Sequence, residues 1–206
     1  MSSQMQPNSP EPGIGRRNIR RLRRATVWRT WRWPCTRYPV REGAASLPSP
    51  RNPRALLSDL LTVERIKVPL ASFSKDDVLR ELVLLAMPTA GAAAHERMVT
   101  AVLDRELLLS TGIGSGIAIP HGRTDEVETV LLTAGLAPVP IDFNALDGRP
   151  VTLFFLLLGP QSAAGAHVRA LGRISRILRH ESVRHELNRI TTPADFLDRL
   201  VGAEVL

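Results

Sequence analysis

The chain has 206 residues, 44% of them hydrophobic, and a formal net charge of +7. That length and composition suit one good-sized domain with a tail, or two small domains, around a packed core. A single cysteine, Cys35, excludes a disulfide framework and a cysteine-based metal site, and no apolar run reaches the length of a membrane span.

The charge is unevenly placed. Residues 1–54 hold twelve arginines against only Glu11 and Glu42, and the rest of the chain has a net charge of −3. This leader is rich in Arg, Pro and Ser, holds Trp28, Trp31 and Trp33, and shows no lasting periodicity. Such a composition cannot bury a core. Four readings stay open for it. It is a disordered arm, or a segment that binds nucleic acid or anionic lipid through Arg and Trp. It is a targeting segment, although an uninterrupted apolar stretch is missing. Or it is the product of an over-long gene start, the true one lying nearer Leu56. Lys67 and Lys75 are the only lysines among 27 basic residues, which fits GC-rich coding and such an upstream reading. The expected division is a basic leader over 1–54 and a folded domain over 55–206. Nucleic-acid binding would then be a property of the leader, not of the folded domain.

From Leu56 the pattern becomes orderly. Leu56, Leu57, Leu60 and Leu61 predict one or two helical turns. Residues 65–70 alternate and predict a strand, near a sheet edge because of Pro69. Ser74, with Asp77 three residues on, caps a helix whose apolar face is Val78, Leu79, Leu82, Val83 and residues 85–86. Pro88, Thr89 and Gly91 break it. A second helix is expected over about 93–109, with Met98, Val102 and Leu103 inward and Arg105 near its end.

Next comes Thr111-Gly-Ile-Gly-Ser-Gly-Ile-Ala-Ile-Pro-His-Gly122. A flexible glycine turn feeds a short buried strand, which Pro120 stops at a fixed φ. His121 is then held at a strand end, and Gly122 leaves its ring uncrowded. The glycines are neither a dinucleotide fingerprint nor a P-loop: no strand precedes them, no helix opens after them, and no Gly-Lys-Ser/Thr follows.

Residues 127–133 predict a further strand, with Pro138 and Pro140 turning the chain. Residues 151–158 are continuously apolar and predict a central strand buried on both faces. Gly159-Pro160 ends it, and a Ser/Ala/Gly loop leads to His167. Val168, Leu171, Ile174 and Leu178 then recur at helical spacing. Residues 181–187 give a short helix. Thr192-Pro193 opens the last one, with Pro at its first position. The expected fold is α+β: a mixed sheet with helices on both faces, a three-layer α/β/α arrangement.

The segment from Glu106 to Gly122 resembles the signature of the fructose/mannitol-type enzyme IIA domains of the phosphotransferase system, a family that includes the nitrogen-regulatory enzyme IIA. Glu106, Ile113, Gly114, Ile117, Ala118, Ile119, Pro120, His121 and Gly122 fill every slot of that pattern. The resemblance covers about residues 56–206 and implies the family's fold. It assigns the phosphoryl group to His121. It makes His167 the second active-site histidine, which orients the group without being phosphorylated, and makes Arg105 the charge stabiliser. Val168 departs from the family's usual Leu, a packing change. Glu106 would orient Arg105 or pair on the surface, and Thr111 and Ser115 could donate hydroxyl bonds to phosphate. His95, His180 and His185 match nothing and read as surface. A two-histidine metal site at His121 and His167 lacks a third ligand at a recognisable spacing. No cofactor is expected.

The resemblance also implies partners. Phosphate would come from the carrier HPr or its nitrogen-branch equivalent. It would pass to an enzyme IIB during sugar uptake, or its presence would control binding to a regulatory target. The expected place is the cytoplasm.

Overall fold

In the computed structural model the described residues are 56–204. The expectation for the leader lies outside them. One sheet carries six strands: β1 (Ile66–Lys67), β2 (Gly112–Gly114), β3 (Ile117–Ala118), β4 (His121–Arg123), β5 (Leu131–Ile141) and β6 (Val151–Gly159). The order is β1-β5-β6-β3-β2, and β4 also pairs with β6. β5 and β6 are antiparallel, whereas β1 runs parallel to β5, and β3 and β4 parallel to β6. The sheet is therefore mixed.

Five helices cover its two faces: α1 (Lys75–Ala86), α2 (Ala92–Leu108), α3 (Ala164–Leu178), α4 (Glu181–Leu187) and α5 (Pro193–Ala203). α1 and α2 bury Leu79, Leu82, Met98 and Val102 against Phe154, Leu156 and Leu158 of β6. α3, α4 and α5 bury Ile174, Leu187 and Phe196 against Leu153, Phe155 and Leu157. Alternate β6 residues thus feed opposite cores, which is why 151–158 is apolar without a break. The expected three-layer arrangement and central strand are present. No helix among the described residues is long and apolar enough to cross a membrane.

The local signals act as their chemistry requires. The Ser74 hydroxyl accepts the Asp77 N–H at 3.3 Å, and Thr192 accepts the Asp195 N–H at 3.2 Å, capping α1 and α5. The strand expected over 65–70 is only Ile66–Lys67, and the one expected over 127–133 begins at Leu131. Two further expectations change. Pro138 and Pro140 do not turn the chain; β5 runs through both to Ile141. β1 pairs only with Ala134 and Gly135, so the far half of β5 lies on an open edge where a missing N–H costs nothing. The glycine stretch is itself a strand, because β2 pairs antiparallel with β3. The reversal falls at Gly114, Ser115 and Gly116, with φ of +94°, +55° and +77°. Such angles suit glycine and a short polar residue.

Candidate active site

Pro120 separates β3 from β4 without breaking the register. Ala118 lies opposite Phe154 and His121 opposite Leu157, and the Pro120 carbonyl accepts the Leu157 N–H at 3.0 Å. His121 therefore opens a strand rather than closing one. β2 does not extend this far, so the half-buried imidazole sits at a sheet edge.

Its two nitrogens have unlike partners. Nδ1 lies 2.9 Å from the Ile119 carbonyl. That oxygen can only accept, so Nδ1 carries the proton. Nε2 receives the Arg105 Nε–H at 3.1 Å and so presents its lone pair. Arg105 also donates from Nη1 to the Leu109 carbonyl at 2.8 Å, which fixes the guanidinium over the end of α2. Burial, and then the Arg105 charge, hold the His121 pKa below the usual histidine value, against the opposing pull of the Ile119 bond. The ring is neutral near pH 7, a state in which it can act as a nucleophile.

Gly122 has a different purpose from the one its position implies. A Cβ there would lie 3.0 Å from Val102 Cγ2 and 3.1 Å from the backbone of Ala101 and Val102. The missing side chain lets α2 come close and brings Arg105, three residues beyond Val102, to His121. Gly122→Ala should push α2 outward. We expect a stability loss of roughly 1–3 kcal/mol, as for other overpacked sites, and slower chemistry at His121. A thermal melt unchanged from the parent would contradict this.

His167 lies in the first turn of α3 and is only 3% exposed, so it is not the polar surface residue that a helix start often carries. Its ring centroid is 5.7 Å from that of His121, at 59° between planes. Gly159 makes room for it, since a Cβ there would lie 3.0 Å from His167 Nδ1. Neither ring nitrogen has a hydrogen-bond partner. An unpaired buried polar group costs roughly 1–3 kcal/mol, and such groups gather where a ligand completes them. Burial, with the charges of His121 and Arg123, lowers the His167 pKa to about 4.

That shift has a sign. A histidine whose folded pKa lies below its unfolded one contributes stability above the unfolded value and loses it as pH falls. The window here runs from about 6.5 down to about 4. Over it, wild-type protein should lose melting temperature more steeply than His167→Asn, which has no titrating group. Parallel pH profiles would show that His167 is not held neutral by burial.

Glu106 neither orients Arg105 nor pairs on the surface. It is 6% exposed and takes Lys75 Nζ at 2.8 Å, the Thr111 N–H at 2.8 Å and the Thr111 hydroxyl. Burial pushes its carboxyl up, but Lys75 and Thr111 pull it further down, so it stays ionised. The Thr111 hydroxyl is thereby spent on Glu106. Ser115 lies at the other end of the sheet, near Leu153 rather than Leu157, roughly 13 Å away at strand rise. Val168 is 67% exposed, so its departure from the family's Leu alters the surface beside His167 and not packing. His180 and His185 are exposed, but His95 is half-buried and bonds the Met87 carbonyl at 2.6 Å.

The structure thus brings Arg105, His121 and His167 together and leaves Thr111 and Ser115 out. Sequence reasoning missed Lys75, Gly159 and Arg123. Gly159 read only as a strand stop. Arg123 could have been found, because a residue two positions along a strand shares its face with His121. Among the described residues, no group of three or more His, Cys, Asp or Glu side chains could hold a metal ion.

Residues 59–201 match the family described as phosphoenolpyruvate-dependent sugar phosphotransferase system, EIIA 2. Over 132 residues the chain is 40% identical to a nitrogen regulatory protein of Bradyrhizobium diazoefficiens, covering 64% of this chain and 85% of that one. It is 32% identical over 131 residues to the fructose-specific EIIA component of Haloferax volcanii, with 64% and 85% covered. The crystal structure of the nitrogen regulatory protein IIA-Ntr from Neisseria meningitidis superposes with a TM-score of 0.65 at 30% identity, covering 70% of this chain and 98% of that one.

Proposed function

The chain belongs to the EIIA 2 family of the phosphoenolpyruvate-dependent sugar phosphotransferase system, and from that premise we propose that it carries a phosphoryl group on His121. The observation that supports this reading best is the lone pair of Nε2, set at a sheet edge and directed at a guanidinium.

The step follows from the two nitrogens. Nε2 attacks the phosphorus of a donor phosphohistidine. The donor's N–P bond breaks, and its electron pair returns to the donor ring. No proton has to leave His121: Nδ1–H stays on the Ile119 carbonyl. The phosphorylated ring then carries a positive charge, which weakens its own N–P bond and keeps the group transferable. Arg105 gives up Nε2 and turns its planar fork to the phosphoryl oxygens. His167 is neutral and unpaired in the resting protein, and gains in the phosphoryl oxygens an acceptor for its N–H. Burial on the α3 side limits water and so slows hydrolysis.

The donor in this reading is HPr or its nitrogen-branch equivalent, and the reaction is cytoplasmic, where phosphoenolpyruvate is made. Leu107 and Leu108 at the end of α2, and Val168 on α3, are exposed near the site and would face the docked partner. The acceptor has two readings. One is an enzyme IIB during sugar uptake, as the name of the fructose-specific relative favours. The other is a regulatory role, in which phosphorylation controls binding to a target protein. The names of the Bradyrhizobium and Neisseria relatives favour it. Incubation with phosphoenolpyruvate, enzyme I and HPr, followed by a chase with an enzyme IIB, separates them. Labelling and rapid discharge support transport; labelling without discharge supports regulation. No labelling by either HPr type would remove the carrier function.

A further inference from the structure

β4 has three residues, and its period of two puts His121 and Arg123 on one face. The register tells which face. His121 lies opposite Leu157 and Arg123 opposite Gly159. Leu157 belongs to the core under α3, and Gly159 is the residue on which the His167 ring rests. Arg123 therefore stands beside His167, close enough for its charge to act on that ring.

What sets Arg123 apart is its place beside His167. The side chain is exposed at the mouth of the site, and among the described residues no carboxylate lies within ion-pair distance of it. The nearby acid Asp125 is committed elsewhere, since it accepts the Gln161 N–H at 2.9 Å. The guanidinium is held by one neutral acceptor, the Gln161 carbonyl, at 2.5 Å from Nη2. Gln161 returns a bond from Nε2 to the Arg123 carbonyl at 3.3 Å. These contacts position the arginine without neutralising it. Arg105 reaches the same site from α2, on the other face of the sheet. Arg105 thus bonds the His121 ring from one face of the sheet, and Arg123 stands beside His167 on the other.

We propose that Arg123 is a second phosphoryl-binding arginine, which leaves the Gln161 carbonyl to bond the phosphoryl oxygens when His121 is phosphorylated. The inference rests on the reading of His121 as the acceptor. Its physical basis is that an exchange of a carbonyl for a dianionic group strengthens every bond the guanidinium makes. The phosphoryl group has three oxygens, and one guanidinium fork grips two. Arg105 from α2, and Arg123 with His167 from the α3 side, together offer donors to all three.

The test uses the full chain and phosphoramidate, a small donor that needs no protein docking. Its N–P bond breaks as the Nε2–P bond forms, and its nitrogen leaves as ammonia after taking a proton from water. Wild type, Arg123→Gln, Arg123→Lys and His121→Ala are labelled in parallel, with melting curves for each. Arg123→Gln should label roughly 10²-fold more slowly, the loss expected when one preorganised donor is removed. Arg123→Lys should fall between it and wild type, keeping the charge and losing the fork. In Arg123→Gln the His167 ring should also titrate at a higher pH than in wild type, by NMR. Wild-type labelling rates in a folded Arg123→Gln, with His121→Ala silent, would overturn the role of Arg123 and leave His121 standing. A wild type that labels elsewhere or not at all would overturn the reading of His121, and this proposal with it.

Discussion

His121→Ala protein is expected to take no phosphoryl group from any donor, while folding normally. Of the other histidines only His167 lies beside His121, and its setting argues against substitution. His167 is almost wholly buried, whereas His121 is half-buried at a sheet edge. Burial also lowers the basicity of His167 to a pKa of about 4, and a less basic nitrogen is a weaker nucleophile. In His121, Nδ1 donates to the Ile119 carbonyl, and the unprotonated Nε2 accepts only the Arg105 Nε–H, which an incoming group can displace. The check is intact-mass spectrometry after incubation with phosphoenolpyruvate, enzyme I and HPr. Any stoichiometric phosphoryl adduct on the variant would remove His121 from its role.

His167→Ala should behave differently: it should still be labelled, always on residue 121, but roughly 10²–10³-fold more slowly. The variant keeps His121 and loses a buried ring whose nitrogens have no hydrogen-bond partner in the resting protein. It also removes a buried polar ring that nothing satisfies, so the fold need not suffer as a large-to-small change in an apolar core would. Rapid-quench labelling with peptide mapping gives both the rate and the position. A rate within a few-fold of wild type would reduce His167 to packing. Label on residue 167 in the wild type would reverse the two roles.

The sheet and its helices were legible because their signals are local. Caps at Ser74 and Thr192, the unbroken apolar run over 151–158, and the helical spacing after His167 each act within a few residues. Pro138 and Pro140 misled, because whether a proline ends a strand depends on a neighbour strand elsewhere in the chain. The same holds for the site. The order of Arg105, His121 and His167 could be read from the signature and its surroundings. The use of Gly122 could not, because it lies against α2 and not against its own ring. The burial of Glu106 is hidden for a like reason. Its partner Lys75 is 31 positions away, and nothing local marks the pair as buried. Strand period alone puts Arg123 on the face of His121, one position beyond the end of the signature.

Phosphate is expected on Nε2 of His121, with the proton kept on Nδ1. Phosphorus and nitrogen NMR of uniformly ¹⁵N-labelled protein, phosphorylated by the phosphoenolpyruvate chain, tests it directly. Phosphorus should couple to a single imidazole nitrogen, the Nε2 of residue 121, while Nδ1 retains its hydrogen. Coupling to Nδ1 of His121, or to any nitrogen of His167, would contradict the account.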